Sequence, residues 1–151
     1  EKHGAFSLFP GIDRTLTVVA GDTIDLIFAD RRVRLDRTTP PYAFRGDDVV
    51  ECRIPAGAIE DLNVMTRRGH WAHRVERRRL EGTTDLDLGG DHALVFALDG
   101  LRVRPDGGGA IDLEPGDALD LERPSRLTVE PTARIAEILV VRLDHVVRDR
   151  I

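Results

Sequence analysis

Metal or nucleophilic chemistry in this chain would have to be built from five histidines (His3, His70, His73, His92, His145), one cysteine (Cys52) and two serines (Ser7, Ser125). A metal held inside a small barrel is served by two histidines at i and i+2, because strand alternation turns those side chains to one face. No His-x-His occurs. His70-Trp71-Ala72-His73 has a spacing that sends its two imidazoles to opposite faces of a strand. Surface histidines, no metal and no cofactor are expected. Neither serine lies in Gly-x-Ser-x-Gly. Cys52, between Val50 and Ile54, reads as a buried structural thiol with no internal disulfide partner. Asp106-Gly107-Gly108-Gly109 lacks the lysine and the following helix of a phosphate loop, so it reads as a hairpin loop.

Recognition chemistry is better represented. In Asp61-Leu62-Asn63-Val64-Met65-Thr66-Arg67 a strand places Asp61, Asn63, Met65 and Arg67 on one face and Leu62, Val64 and Thr66 on the other. Two readings are open. The polar face meets water, or it lines the hollow of a barrel and grips a ligand. An arginine there would take a carboxylate through paired N–H donors, and an asparagine would offer both a donor and an acceptor. Arg14, just after Pro10-Gly11 and before an apolar strand, is either a surface charge or an anchor of the same kind. Arg74, Arg77, Arg78 and Arg79 alternate with carboxylates, and form a solvated face or an anion-binding strip.

The elements that must position these residues are strands. Apolar alternation and turn dipeptides recur at short, even intervals: Ala5–Phe9, Thr15–Ala20, Ile24–Phe28, Val33–Leu35, Val49–Ile54, Leu62–Thr66, Leu94–Leu98, Leu101–Arg104, Ile111–Leu113, Leu119–Leu121, Leu127–Val129 and Arg134–Leu143. Asp99-Gly100 is a hairpin signal. The run Ala136 to Val147 suits a buried strand better than a helix. Leu16–Ile27 and Leu94–Val103 share a strand-turn-strand pattern, a faint internal repeat. The expected fold is all-β, two jelly-roll halves in 151 residues, with a net charge of −5. That charge disfavours nucleic acid as a partner, and no apolar run approaches the ~20 residues of a membrane-spanning helix. A cytoplasmic protein is expected.

At Phe6-Ser7-Leu8-Phe9-Pro10-Gly11-Ile12-Asp13-Arg14, at Tyr42-Ala43-Phe44-Arg45-Gly46-Asp47 and at Asp61 to Gly69 the sequence resembles the HutD/Ves family. The resemblance runs over almost the whole chain, more loosely in the second half (Asp99-Gly100, then Pro115-Gly116-Asp117). It implies a bicupin fold, with cupin-like halves at 1–85 and 86–151, and the absence of the usual cupin metal ligands. It implies a bacterial binding protein for a small polar acid, formylated amino acids such as formylglutamate being candidates, that restrains histidine utilisation. The family's motif positions fall here on Arg14, Phe44, Asp47, Asp61 and Asn63, and on Met65 and Arg67. A homodimer is compatible with it. An isomerase or lyase using Asp61 or Asp47 as general base, and a protein-contact subunit with a vestigial pocket, are the alternatives. One departure stands out. The family's early Trp-Lys-Asn-Gly-Gly-Gly segment, expected to line the same pocket, does not occur in a sequence that opens at Glu1 without methionine.

Overall fold

Period-two alternation becomes strand throughout the chain, since each strand has one face to bury. The structure, a computed structural model, describes residues 2–124 and 126–146, and none of these is helical. Ser125, the end of the expected last strand at Val147 and the His3 side chain lie outside what is described.

The chain divides into two compact units, Glu1–Ala72 and His73–Ile151. The sequence placed the boundary between 85 and 86. The long arginine-rich strand Trp71–Leu80 pairs within the second unit, which moves the division earlier. The first unit contains β1 (Lys2–Ala5), β2 (Ile12–Gly21), β3 (Ile24–Ile27), β4 (Arg32–Leu35), β5 (Tyr42–Arg45), β6 (Glu51–Ile54) and β7 (Ile59–Arg67). They form two antiparallel sheets, ordered β1-β6-β3-β4 and β5-β2-β7. The second contains β8 (Trp71–Leu80), β9 (Thr84–Asp87), β10 (His92–Ala97), β11 (Leu101–Pro105), β12 (Ile111–Leu113), β13 (Ala118–Glu122), β14 (Arg126–Pro131) and β15 (Ala136–His145). Their order is β9-β14-β11-β12 and β13-β10-β15-β8.

The two orders match strand for strand when β1–β7 is laid over β9–β15, with β8 as an addition beside β15. The faint repeat of the sequence is thus a repeat of pairing. Rungs match too. Ile24↔Leu35, Asp25↔Arg34 and Leu26↔Val33 in the first unit correspond to Leu101↔Leu113, Arg102↔Asp112 and Val103↔Ile111 in the second.

Two expectations are corrected. Asp99-Gly100 closes no hairpin: β10 and β11 lie in different sheets, and this dipeptide is a corner, as Gly21-Asp22 is between β2 and β3. Asp99 accepts the Glu137 N–H at 2.8 Å there, which holds the corner to the start of β15. At Gly21 the backbone has φ +86°, and a Cβ would lie 2.1 Å from the Ala58 carbonyl oxygen, so only glycine fits. Second, the first strand is Lys2–Ala5 and not Ala5–Phe9. Residues 6–9 leave the sheet after Phe6 N donates to Val50 O, and carry Phe6 and Phe9 across to Arg14.

Each unit has its own apolar core. In the first, Leu16, Val18, Ile24, Leu26, Phe28, Leu35, Phe44 and Val50 pack together, joined by the half-buried Cys52 and Ile54. In the second, Ala93, Val95, Ala97, Leu101, Val103, Leu127, Val129, Ile138 and Val140 are among the buried members. Directly opposed residues in an antiparallel pair share a face, so the register fixes which side chains look inward.

Candidate functional site

The pairing of β2 with β5 and β7 builds the site. Arg14 stands opposite Phe44 on one side and Met65 on the other. Leu16 stands opposite Tyr42 and Asn63, Val18 opposite Asp61, and Ile12 opposite Arg67. Leu16, Val18 and Phe44 belong to the core. Asp61, Asn63, Met65 and Arg67 therefore share the inward face of the first unit, not the outer one. Thr15, Thr17 and Thr66 are buried on the opposite face.

Arg14 is 3% exposed. Its guanidinium carbon lies 4.9 Å from the centroids of the Phe6 and Phe44 rings and 5.4 Å from that of Phe9, within the range of cation–π attraction. Phe44 meets Phe6 and Phe28 edge-on and stacks on Tyr42, so the aromatic wall is continuous. Of the five donors a guanidinium offers, one makes a long hydrogen bond of 3.5 Å to the Ser7 carbonyl. The Arg14 Nε is buried with no hydrogen-bond partner, and so is the Asn63 Oδ1 one rung away. A buried cation with idle donors beside a buried idle acceptor is an arrangement folding alone does not favour.

Asp61 completes the inward polar row. It is exposed, yet enough protein surrounds its carboxyl that lost hydration raises its pKa, against the opposing pull of Arg14. Arg14 responds in kind: burial lowers its pKa and Asp61 raises it. Met65, 38% exposed, and Phe9, 40% exposed, form an apolar border near the guanidinium. Arg67 is exposed at the end of the row.

Asp47 is placed differently. Its carboxylate accepts from Arg68 Nη2 at 2.8 Å and from the Gly11 N–H at 3.2 Å. Those bonds hold its pKa below the usual carboxylate range, the Arg68 contribution being the larger. Arg68 also grips Asp13 at 2.7 Å and the Ile12 carbonyl at 3.1 Å. Asp47 and Arg68 thus pin the Pro10-Gly11 turn. Sequence reasoning missed Arg68 and the two rings, Phe6 and Phe9, though all three stand in the quoted motifs. Two aromatics three apart before Pro-Gly were the available signal.

The remaining sequence candidates resolve simply. Arg74 and Arg78 pair with Glu76, Arg79 with Glu81, and Arg77 with Glu137, so the tract is answered by its own carboxylates. His70 lies in the turn after β7, His73 in β8, and His145 beside Asp91. Among the described residues no three His, Cys, Asp or Glu side chains gather as a metal site would require. Nor is any helix among them long and apolar enough to cross a bilayer.

Two all-β units of identical pairing order, each closed around its own apolar core, define a bicupin. A cupin 2 conserved barrel domain protein from Leptotrichia buccalis shares the fold, with a TM-score of 0.60 over 95% of this chain and 78% of that one at 12% identity. Residues 1–137 match the HutD family, and the chain belongs to it. It is 32% identical to protein Ves of Citrobacter koseri over 99 residues, which is 65% of this chain and 50% of that protein. The match thus spans about half the length of this curated relative. A conserved protein of unknown function from Pseudomonas aeruginosa PAO1, PA5104, superimposes with a TM-score of 0.86 at 27% identity, covering 95% of this chain and 78% of that one. HutD from Pseudomonas fluorescens SBW25 superimposes at 0.76 and 24% identity, with 95% and 74% covered.

Proposed function

We propose that the first unit binds a small polar acid, with Arg14 as the anchor for its carboxylate or formyl oxygen and no metal in the recognition. The observation that carries this reading is the pair of buried, unpartnered groups, Arg14 Nε and Asn63 Oδ1, on one inward face. An acid that also carries an amide or formyl-amide group satisfies both: oxygen to the guanidinium, N–H to the asparagine oxygen. Phe44 and Met65 supply an apolar wall, and Asp61 and Arg67 extend the polar row. Such a protein acts as a sensor. With HutD family membership, the process it restrains is histidine utilisation and the leading ligand is formylglutamate. It works in the cytoplasm.

Thermal-shift titration with formylglutamate, urocanate, histidine and glutamate tests this. A ligand at ~100 times its Kd adds roughly 2.7 kcal/mol, a rise in melting temperature of about 5–10 °C for a chain of this size. Arg14→Met, which fills the aromatic cage without charge, is expected to fold and to lose the shift. No shift with any of the four acids, or a shift that survives Arg14→Met, overturns the reading.

A second reading rests on Asp61, whose raised pKa suits a general base for an isomerase or lyase. Turnover of a bound acid that Asp61→Asn abolishes while binding persists would establish it.

A further inference from the structure

We propose that residues 7–9 form an autoinhibitory gate over Arg14 that opens on the Pro10-Gly11 turn to admit the acid, an inference that rests on Arg14 being the ligand's anchor. The Arg14 side chain is 3% exposed, so an anion cannot reach it while its cover is in place. Three rings make that cover, and two of them are fixed. Phe44 belongs to the apolar core and Phe6 packs against it, with the Phe6 N–H held by the Val50 carbonyl at 2.9 Å. Phe9 is no member of that cluster and is 40% exposed, and Leu8 beside it is 54% exposed.

The contact this segment makes is a poor substitute for a ligand. Among the described residues the one hydrogen-bond acceptor of the Arg14 guanidinium is the Ser7 carbonyl, at 3.5 Å. That is longer than the ~2.7–3.2 Å of an ordinary N–H···O bond, whereas a carboxylate takes two guanidinium donors at ~2.7–2.9 Å. The carbonyl therefore holds the place of a ligand oxygen and yields it readily. Opening breaks few contacts. Phe9 gives up its N–H bond to the Gly46 carbonyl at 2.8 Å, and its own carbonyl gives up the Ile12 N–H at 3.1 Å. Its side chain and that of Leu8 are already about half in water. Beyond the turn the chain is held: the Ile12 carbonyl accepts the Gly46 N–H at 2.7 Å, and Asp47 accepts the Gly11 N–H. Gly11, at φ +74° with open space around it, is the joint. The closed segment seats on Gly46. A Cβ there would lie 2.4 Å from the Phe9 carbonyl oxygen and 3.0 Å from the Phe9 Cβ, so a side chain at 46 wedges the gate open. A site that is closed in most molecules binds with its intrinsic affinity reduced by the open fraction, so loosening the gate tightens binding.

The test treats the wild-type chain, Gly46→Ala and Phe9→Ala with phenylglyoxal, which adds to accessible guanidinium groups. Modification of Arg14 is followed by peptide mass spectrometry, with the exposed Arg104 as reference. Arg14 is expected to react about tenfold faster in both variants than in the wild type, and both are expected to bind formylglutamate about tenfold more tightly. Faster reaction with unchanged or weaker binding would make Phe9 a wall of the site and overturn the proposal, as would an unchanged Arg14 rate in Gly46→Ala. If formylglutamate binds none of the three proteins, the assignment of that ligand falls. The Arg14 rate in Gly46→Ala, which keeps every ring, then decides the gate alone. Where Gly46→Ala fails to fold, amide exchange in the wild-type chain decides: a Phe9 N–H exchanging about tenfold or more faster than the Gly46 N–H supports the gate, and equal rates overturn it.

Discussion

The two units are one pairing scheme filled in two ways. Across the inward rungs of the first unit run Phe44–Arg14–Met65, Tyr42–Leu16–Asn63 and Val18–Asp61. The corresponding rungs of the second are Leu121–Ala93–Arg142, Leu119–Val95–Val140 and Ala97–Ile138. Where β7 turns Asp61 and Asn63 inward, β15 turns Ile138 and Val140, both buried. The arginine survives at the same rung but comes from the neighbouring strand. Backbone and register are therefore indifferent to whether the interior is sealed. The side chains of one strand decide it: β7 turns a carboxylate and an amide inward where β15 turns two aliphatic residues.

The largest expected effect comes from writing the first unit's choice into the second. Ile138→Asn, at the position that matches Asp61, buries an amide among apolar neighbours with nothing to bond, and should cost about 3 kcal/mol in denaturant unfolding. A cost near zero would mean that the second interior is already open to polar groups, and the contrast would fail.

Next is a rung where the charges are reversed. Asp25, 0% exposed, accepts from Arg34 at 2.8 and 3.0 Å and from Arg32 at 2.6 Å. The matching rung of the second unit sets Arg102 against Asp112 with both side chains exposed. The hydrogen bond from Arg34 is the main cause that holds the Asp25 pKa down to about 2. A pKa lowered on folding contributes stability above the unfolded value and loses it as pH falls, here between about pH 4 and pH 2. Asp25→Asn should therefore cost roughly 2 kcal/mol near neutrality and flatten the acid limb of the stability profile. Asp112→Asn should change neither measurably, since exposed pairs are screened by solvent. Equal effects would show that burial does not separate the two rungs.

The smallest effect has the opposite sign. Asn63→Val gives β7 the residue type that β15 carries at Val140. Removing an unpartnered buried oxygen should raise stability by about 1 kcal/mol while abolishing the thermal shift with acid ligands. A destabilised variant would mean that the asparagine is structural after all.

Much of the fold was legible because burying one face of a strand writes itself into alternation. β2, β3, β7, β10 and β15 stand where Val, Ile and Leu alternate or run together. The corners were not legible: Gly21-Asp22 and Asp99-Gly100 have hairpin chemistry, but pairing partners 40 or so residues away outvote local turn preference. Which face of Asp61–Arg67 looks inward was likewise undecidable, since it depends on the register with β2 and not on the segment itself. Phe44 and Arg14 could be named as candidates from the motifs. That Phe6 and Phe9 would close over Arg14 required the chain to leave the sheet at residue 6, which no period announces.

Arg68 never touches the guanidinium it serves, yet two of the three rings around Arg14 ride on the loop it fastens through Asp47 and Asp13. The tightness of the aromatic cage is thus set from the rim, by ion contacts that dissolved electrolyte weakens. A cage built this way can be retuned without altering a single lining residue, and it should loosen in brine before the apolar cores do.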